Sequence, residues 1–259
     1  DSSRVHSVFL MLGSSHSYHL ALHSFADFLT SKELILLHWL SPYFITAAFR
    51  ISSSVFFQMP PLIVILIEKI KIIEDRGLVN EFIIFTSVDT WGAQAEYIRN
   101  GLEFNKFWDN MNKVLTASPR VNITVMSTFN ALSIPSYKKL VDGVYGLKEE
   151  YGSTDRYWVS AVFLDSSYLR HPIHQTVQVL PEGDWAPVLW DTVLYMDYLG
   201  IPKFDHQLIG YSDVEVQKIK RTYDWMVSKF KDPAAIQRQR RDFYRYFNAH
   251  DERRGTNFV

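Results

Sequence analysis

The chain has 259 residues, with 27 Lys and Arg against 28 Asp and Glu, and hydrophobic residues make up 47% of it. This composition is typical of ordinary globular proteins, and the length suits one large domain or two small ones. The near-neutral charge gives no electrostatic argument for nucleic acid or anionic lipid as a partner. The absence of cysteine excludes disulfides, thiolate zinc sites, a cysteine nucleophile and an iron–sulfur cluster held by cysteines of this chain.

Residues 1–60 form an atypical N-terminal segment that is rich in Ser, Leu and His and poor in charge. Two uncharged stretches, 34–49 and 51–67, are separated by Arg50. A membrane span needs about 20 apolar residues, and both stretches are shorter and contain polar residues or prolines. We therefore expect buried helix segments or poorly ordered sequence here rather than a membrane anchor, and we expect a cytoplasmic protein.

From residue 61 onward the pattern becomes regular. Apolar runs of strand length lie at 81–88, 121–128 and 157–164, and 176–180 could form a short fourth strand. Helical spacing covers 62–76, 92–100, 104–115 and 134–148. Helices that alternate with strands across short links predict parallel βαβ units, with helices covering a buried sheet.

Beyond residue 181 only helices are predicted, at 185–199, 213–231 and 233–248. Asp232 followed by Pro233 is a good helix cap and first-turn pair. The sequence thus predicts an α/β fold, either half of an α/β barrel or an open parallel sheet, at 61–181, with an all-helical C-terminal appendix at 182–259. The Arg-rich tail at 237–254 has Phe243 and Phe247 at helical spacing, which is typical of a docked helix with a solvated face rather than of a nucleic-acid arm.

Polar residues near the end of each apolar run are the candidate binding residues, because ligands of parallel α/β folds lie at the carboxyl ends of strands. They offer hydroxyl, amide, carboxylate and basic groups, which suit a polar ligand with ribose and amino-acid parts. The candidates are Ser87, Asp89 and Arg99 for the first run, Thr128 and Asn130 for the second, and Asp165, Tyr168, Arg170 and His171 for the third. The same residue types also form turns and caps, and the composition leaves that alternative open.

Other motifs of catalysis are not found in the sequence. His171 and His174 have the spacing of a metal pair, but Pro172 between them favours a loop, and no third ligand is evident. The sequence contains no Gly-rich phosphate loop, no His-Glu-x-x-His and no Gly-x-Ser-x-Gly. We therefore expect no metal site.

Four segments carry a resemblance to a known family. They are FTSVDTWGAQAEYIRNGLEFNKFWDNMNKVL (85–115), VNITVMSTFNALSIPSYKKLVDGVY (121–145), YLRHPIHQTVQVLP (168–181) and the closing RDFYRYFNAHDERRGTNFV (241–259). Together they resemble the later part of radical S-adenosylmethionine proteins, and most closely the group with a twitch-type C-terminal region. The match extends from about residue 66 to the last residue, and the pairing of Ser-Val-Asp with Tyr-Ile-Arg-Asn-Gly is its most specific part.

The resemblance implies a partial (β/α)6 barrel that binds S-adenosylmethionine and a four-iron four-sulfur cluster and that supports radical hydrogen abstraction from a substrate. It assigns cofactor contacts to Ser87, Asp89, Arg99, Thr128 and Asn130. Substrate contacts are expected from the third run, that is, from Asp165, Tyr168, Arg170 and His171. The substrate is expected to be a peptide or a small metabolite.

The chain departs from the family in having no cysteine and no glycine-rich second-strand motif before residue 66, so it cannot hold the cluster. Three explanations compete: an incomplete or frame-disrupted member whose first sixty residues are not family sequence, a non-catalytic barrel that binds a nucleotide-like ligand or a protein, and an unrelated α/β protein. We favour the first and expect no activity from this chain alone. An exposed sheet edge would also favour self-association.

Overall fold

The computed structural model describes residues 6–12, 45–51, 60–76, 81–152, 161–201, 209–228 and 232–257. In the first two ranges, and at residues 60–62 and 81, the description is limited to the backbone. Predictions that fall elsewhere, including most of the atypical segment 1–60 and residues 157–160 of the third predicted strand, lie outside the described residues.

Five strands form one parallel sheet, and neighbours in the sheet are neighbours in the chain. The strands are β1 (His6–Leu12), β2 (Ile45–Ile51), β3 (Glu81–Ser87), β4 (Val121–Phe129) and β5 (Val162–Tyr168). The register places Ile84, Ile123 and Val162 in one row across the last three strands. The predicted α/β class and the parallel sheet are therefore confirmed.

Helices make up most of the regular structure in the described residues. They are α1 (Pro60–Asp75), α2 (Gly92–Ile98), α3 (Phe104–Ala117), α4 (Ile134–Tyr151), α5 (Glu182–Tyr198), α6 (Asp213–Met226) and α7 (Pro233–Arg254). Two short 3₁₀ helices, Ile173–Gln175 and Val177–Val179, lie between β5 and α5. Within the described ranges, no helix combines the length and apolarity that crossing a membrane requires.

The two faces of the sheet differ in burial because side chains alternate along each strand. On the first face, Phe82, Ile84, Val121, Ile123 and Leu164 are fully buried in one core with side chains of α1, α3 and α4. Crossovers of one hand between sequential parallel strands place their helices on a single face, which accounts for this arrangement. We call the opposite face of β3–β5 the second face.

Residues on the second face are less completely buried than those on the first. The apolar members Ile83, Phe85, Met126 and Phe163 keep intermediate exposure. Thr128 and Ser167, nearest the carboxyl end of the sheet, are exposed. This face therefore provides apolar surface below and hydroxyl groups at the edge where ligands of parallel sheets bind.

The outer edge of β5 is covered by α6. The carboxylate of Glu215 accepts a hydrogen bond from the backbone N–H of Leu164 at 2.8 Å and is paired with the ammonium of Lys148 at 2.9 Å. Both side chains are almost completely buried, and burial lowers the pKa of Lys148. Glu215 also completes a capping box with Ser212 at the start of α6. At β5, therefore, the Glu215 side chain of α6 satisfies a backbone donor on an edge that a half-barrel would leave unpaired.

Helices α5 and α6 share the core of the sheet, whereas α7 packs in a second, smaller cluster through Phe243 and Phe247. Leu189 and Met196 of α5 and Ile219 of α6 belong to the same buried cluster as Ile84. The predicted docking of α7 is confirmed, since Phe243 is buried and Arg240 donates to the backbone carbonyl of Val179 at 2.7 Å.

The carboxyl-terminal bound of the third predicted strand is wrong, and its predicted start lies outside the described residues. The prediction was 157–164, whereas β5 is Val162–Tyr168, so Asp165 lies inside the strand and not beyond its end. Asp165 and Ser166 are tolerated there because each has a partner from a distant element. The hydroxyl of Ser166 bonds that of Tyr137, and the carboxylate of Asp165 pairs with Lys218.

The predicted fourth strand at 176–180 is also wrong. Its alternating Val177 and Val179 point into the core, as in a strand, but the backbone forms 3₁₀ turns. The hydroxyl of Thr176 bonds the carbonyl of Ile173 at 2.9 Å, and this local bond stabilises the turn in place of a strand ladder.

The expectation of helical or poorly ordered sequence before residue 67 is wrong in part. Residues Ile45–Ile51 form β2, which pairs with both β1 and β3. Residues Pro60–Asp75 do form a helix. Uncharged composition does not distinguish a buried strand from a buried helix when the run is short, and this ambiguity explains the error at β2.

Candidate functional site

The carboxyl end of β3 is tied to the end of β4 through Asp89. Its carboxylate accepts two hydrogen bonds from the guanidinium of Arg99, at 2.8 and 3.0 Å, and one from the backbone N–H of Thr128 at 2.8 Å. The Asp89 side chain is 6% exposed and that of Arg99 is 23% exposed. Asp89 and Arg99 therefore bind each other, and together they fix the position of Thr128.

Asn130 has a similar role at the end of β4. Its side-chain oxygen accepts from the backbone N–H of Leu132 at 2.9 Å, and its side-chain amide donates to the carbonyl of Thr128 at 3.1 Å. The backbone N–H of Asn130 donates to the hydroxyl of Ser133 at 3.1 Å. These hydrogen bonds are typical of a residue that shapes a turn. The sequence alone had left that role open as an alternative to ligand binding.

Hydroxyl groups of the second face are available next to these turns. Thr128 and Ser167 are opposite each other in the register of β4 and β5, and both are exposed. Neither hydroxyl has a hydrogen-bond partner among the residues that the structure describes. Ser87 lies one row further from the edge, beside Met126, and is 8% exposed. The hydroxyls of Thr128 and Ser167 can therefore bind a ligand without first breaking a protein contact, whereas Ser87 is buried.

An ion pair lies in the same region of the second face. Asp165 is level with Met126 in the register, and its carboxylate pairs with the ammonium of Lys218. The Asp165 side chain is 30% exposed and that of Lys218 is 22% exposed. The ammonium of Lys218 also lies 5.5 Å from the ring centroid of Phe163. Asp165 and Lys218 thus bring opposite charges to the sheet surface beside Ser167.

Lys218 was missed by the sequence reasoning. It lies on α6, 53 residues from Asp165, in a helix that was assigned to the C-terminal appendix. Its position in an amphipathic helix gives no indication that it reaches the sheet. No pattern in the sequence alone could have paired it with Asp165.

The remaining predicted substrate residues lie apart from this group. Tyr168 is opposite Phe129 and, by strand alternation, belongs to the first face. The guanidinium of Arg170 lies over the Tyr168 ring at 5.2 Å from the centroid and donates to its hydroxyl at 3.2 Å. His171 follows in an exposed loop. The structure therefore does not bring Tyr168 together with Asp165 on one face.

A cavity of about 630 Å³ lies beside this edge, between α2 and the end of α7. The hydroxyl of Tyr97, in its wall, donates to Asp251 at 2.8 Å, and burial together with this hydrogen bond raises the pKa of Tyr97. Arg254 donates to the backbone carbonyl of Tyr97 at 2.8 Å. Gln94 is held between Leu132 and the hydroxyl of Ser136. The contacts of Tyr97 attach the C-terminal helix to α2, and those of Gln94 attach α2 to the start of α4 and the turn before it.

Comparisons of the chain with protein-family models, with curated proteins and with solved structures found no match. The resemblance to radical S-adenosylmethionine proteins therefore stays a prediction that rests on the sequence motifs.

The residues of this chain do not fit an iron–sulfur cluster. The sequence has no cysteine, and the described part of the structure contains no group of three His, Asp or Glu side chains that could hold a metal ion. Thiolates are the usual ligands of such clusters, and no other residue type present replaces three of them on one loop. The exposed hydroxyls and apolar side chains of the second face are of the types that contact ribose and an aromatic base.

Proposed function

We propose that this chain is the later part of a radical S-adenosylmethionine-type partial barrel. It binds an adenosine-containing ligand at the carboxyl end of β3, β4 and β5. The observation that carries the proposal is the pair of exposed hydroxyls, Thr128 and Ser167, which have no described partner and lie side by side where ligands of parallel sheets bind. The strand order of the sheet, which follows the chain, is compatible with a barrel that is only partly closed.

The role proposed for each residue depends on whether its polar side-chain group already has a hydrogen-bond or ion-pair partner in the protein. Thr128 and Ser167 bind ribose hydroxyls, while Met126 and Phe85 offer apolar contact to the base. Asp89 acts as a positioning residue, because its carboxylate holds the backbone N–H of Thr128 and the guanidinium of Arg99. Arg99 and Asn130 support the same edge.

No radical step is assigned to this polypeptide. In complete proteins of the family the cluster supplies the electron, and the present chain has no thiolate to hold one. We therefore propose binding without catalysis by the isolated chain, in the cytoplasm. The second candidate is a non-catalytic binding or interaction domain that is not part of a cluster-carrying enzyme. The lack of any cysteine favours this candidate.

Calorimetric titration of the full chain with S-adenosylmethionine tests the proposal. We expect saturable binding to one site, and we expect the double variant Thr128→Val/Ser167→Ala to bind about tenfold more weakly, since each lost hydrogen bond costs about 0.5–1.5 kcal/mol. Thr116→Val is the control, because Thr116 is an exposed threonine near the end of α3 that precedes the amino end of β4. Absence of binding by the folded chain, or equal affinity of the double variant, would overturn the proposal.

A second experiment separates the two candidates. The chain is incubated anaerobically with iron, sulfide and reductant, with and without a separately supplied family half-barrel that carries the cluster loop. The fragment proposal predicts 5′-deoxyadenosine only when that half is added. If the complemented mixture also yields none while the chain still binds S-adenosylmethionine, the non-catalytic domain is the better account.

A further inference from the structure

Helix α7 packs against the rest of the described chain through one of its sides. On that inner side, Phe243 and Phe247 are buried, and Arg240 donates to the backbone carbonyl of Val179 at 2.7 Å. These contacts fix the rotation of α7 about its own axis, because the buried rings and the guanidinium lie on the same side. The side chains on the outer side of the helix therefore face solvent in a defined arrangement.

Three arginines and one tyrosine form a row on the outer side of α7, and we call this row the arginine stripe. Its members are Arg238, Arg241, Tyr244 and Arg245, and all four are exposed, Tyr244 at 62%. The arginines follow the i, i+3, i+7 spacing, which keeps them on one side of a helix over a length of about 10 Å. Arg238 lies 3.8 Å from Asp232, whereas Arg241 and Arg245 have no ion-pair partner among the residues that the structure describes.

The arginine stripe is electrostatically unfavourable for the protein on its own. Arg241 lies three residues after Arg238 and four residues before Arg245, and like charges at these spacings repel each other. Helix α7 contains six arginines and three acidic residues, although the whole chain has one more acidic residue than basic residues. Positive charge is therefore concentrated on this helix, and the carboxylates of a partner would relieve the repulsion.

The length of the stripe limits the kind of anion that fits it. Asp232 precedes α7 beside Arg238, and the exposed Glu252 follows Arg245 by seven residues on the same side of the helix. A longer polyanion, such as a nucleic-acid strand laid along the helix, would meet these carboxylates and be repelled. A protein helix of about three turns places its own carboxylates between them.

The side chains of the stripe also suit a protein partner. Guanidinium groups bind carboxylates through two parallel hydrogen bonds, and tyrosine and arginine are enriched among the interface residues that contribute most to binding. We propose that the arginine stripe is a docking surface for a short acidic helix of a partner protein, with carboxylates at the same i, i+3, i+7 spacing. This inference uses no residue of the proposed adenosine site and does not depend on it.

Fluorescence anisotropy of the full chain with two labelled peptides tests the inference. Both peptides are hydrocarbon-stapled helices of about twelve residues. One carries three glutamates at the i, i+3, i+7 spacing, and the other carries glutamines in their place. At low salt, the wild-type chain is expected to bind the glutamate peptide about tenfold more tightly, as three exposed ion pairs would give, and the preference should decrease as the ionic strength is raised.

Three variants locate the binding on the stripe. Arg241→Gln/Arg245→Gln removes two of its charges and is expected to bind the two peptides within about twofold of each other. The control Lys139→Gln/Arg253→Gln removes the same net charge from exposed positions outside the stripe and is expected to keep the tenfold preference. Tyr244→Ala is expected to weaken the binding of both peptides about fivefold without changing the preference.

Equal binding of the two peptides by the wild-type chain overturns the inference, as does an equal loss of preference in the stripe variant and the control. A labelled single-stranded oligonucleotide of matched length forms a third arm. If it binds the wild-type chain more tightly than the glutamate peptide does, and loses this binding in Arg241→Gln/Arg245→Gln, the stripe recognises nucleic acid and the inference is wrong.

Discussion

At the scale of single residues, Asp89 shows how one carboxylate can organise the carboxyl edge of a parallel sheet. It lies two residues beyond the last residue of β3, yet its hydrogen bonds reach α2 through Arg99 and β4 through Thr128. Because the side chain is 6% exposed, the cost of burying its charge is offset by the bidentate partner and the backbone donor. Removing it would leave both donors unsatisfied.

We expect Asp89→Ala to lower the free energy of unfolding by about 3 kcal/mol, since breaking a buried pair leaves a guanidinium without its partner. Urea unfolding followed by circular dichroism measures this value. Asp191→Ala is the control because the Lys138–Asp191 pair is 44% and 63% exposed, and its loss should change stability by less than about 1 kcal/mol. Equal effects of the two substitutions would contradict the role given to Asp89.

The sequence was enough to identify the polar residues at the carboxyl edge of the sheet. It did not show which of them shape turns and which are available to a ligand. The rule that ligands bind at carboxyl ends of parallel strands was enough to select Asp89, Thr128 and Asn130. Whether a given polar residue binds a ligand or shapes a turn depends on which donors fold next to it. For Asp89 that donor is the backbone of Thr128, 39 residues away.

At the scale of elements, the turn that carries Asp89 is anchored by Trp91. The Trp91 ring lies 4.7 Å from the rings of both Phe104 and Trp108, measured between centroids. It packs against α4 at Gly143, where an added Cβ would overlap the indole. The lack of a side chain at Gly143 therefore lets α4 approach the turn between β3 and α2.

Two glycine substitutions on α4 are expected to have opposite effects. Gly143→Ala should lower the free energy of unfolding by about 2 kcal/mol through overpacking against Trp91. Gly146→Ala should raise it by about 0.5–1 kcal/mol, since a Cβ there meets no atom within 4 Å and alanine favours the helix. Denaturant midpoints of the two variants test this contrast, and a stabilising Gly143→Ala would refute the packing account.

The bounds of helices and strands were predicted well where they depend on the sequence pattern of the element itself. The bounds of β3, β4, α3 and α4 follow from hydrophobic periodicity and from the glycine and proline residues between them. β5 was displaced because its polar residues, Asp165 and Ser166, look like a loop until Lys218 and Tyr137 are brought beside them. The bounds of such a strand depend on contacts between residues far apart in sequence. Hydrophobic periodicity carries no information about those contacts.

At the scale of the whole molecule, the buried tyrosines couple stability to pH. Burial raises the pKa of Tyr137 and of Tyr211, and both hydroxyls are hydrogen-bonded in the interior, Tyr211 to the carbonyl of Val141 at 2.6 Å. Unfolded tyrosine loses its proton near pH 10, so above this pH the unfolded chain binds fewer protons than the folded chain. Stability must then fall as the pH rises. The lowered pKa of Lys148 acts in the opposite direction, but only below its ordinary value of about 10.5 and as a single group.

We therefore expect the free energy of unfolding to fall above about pH 10, by up to about 1.4 kcal/mol per pH unit for each such tyrosine. Urea unfolding between pH 8 and pH 11 measures the slope, taking about pH 10 as the onset. Tyr137→Phe should give a shallower decline because one titrating group is removed. A stability that stays constant or rises through this range would contradict the burial of these hydroxyls.

We have proposed that the carboxyl end of β3, β4 and β5 binds an adenosine-containing ligand without an iron–sulfur cluster. Hydrogen–deuterium exchange of the full, metal-free chain, measured with and without S-adenosylmethionine, tests it most directly. We expect slower exchange at the backbone amides of 126–132 and 164–168, with α1 unchanged. No slowing at these amides at a saturating concentration of the nucleoside, or slowing confined to α1 and α7, would contradict it.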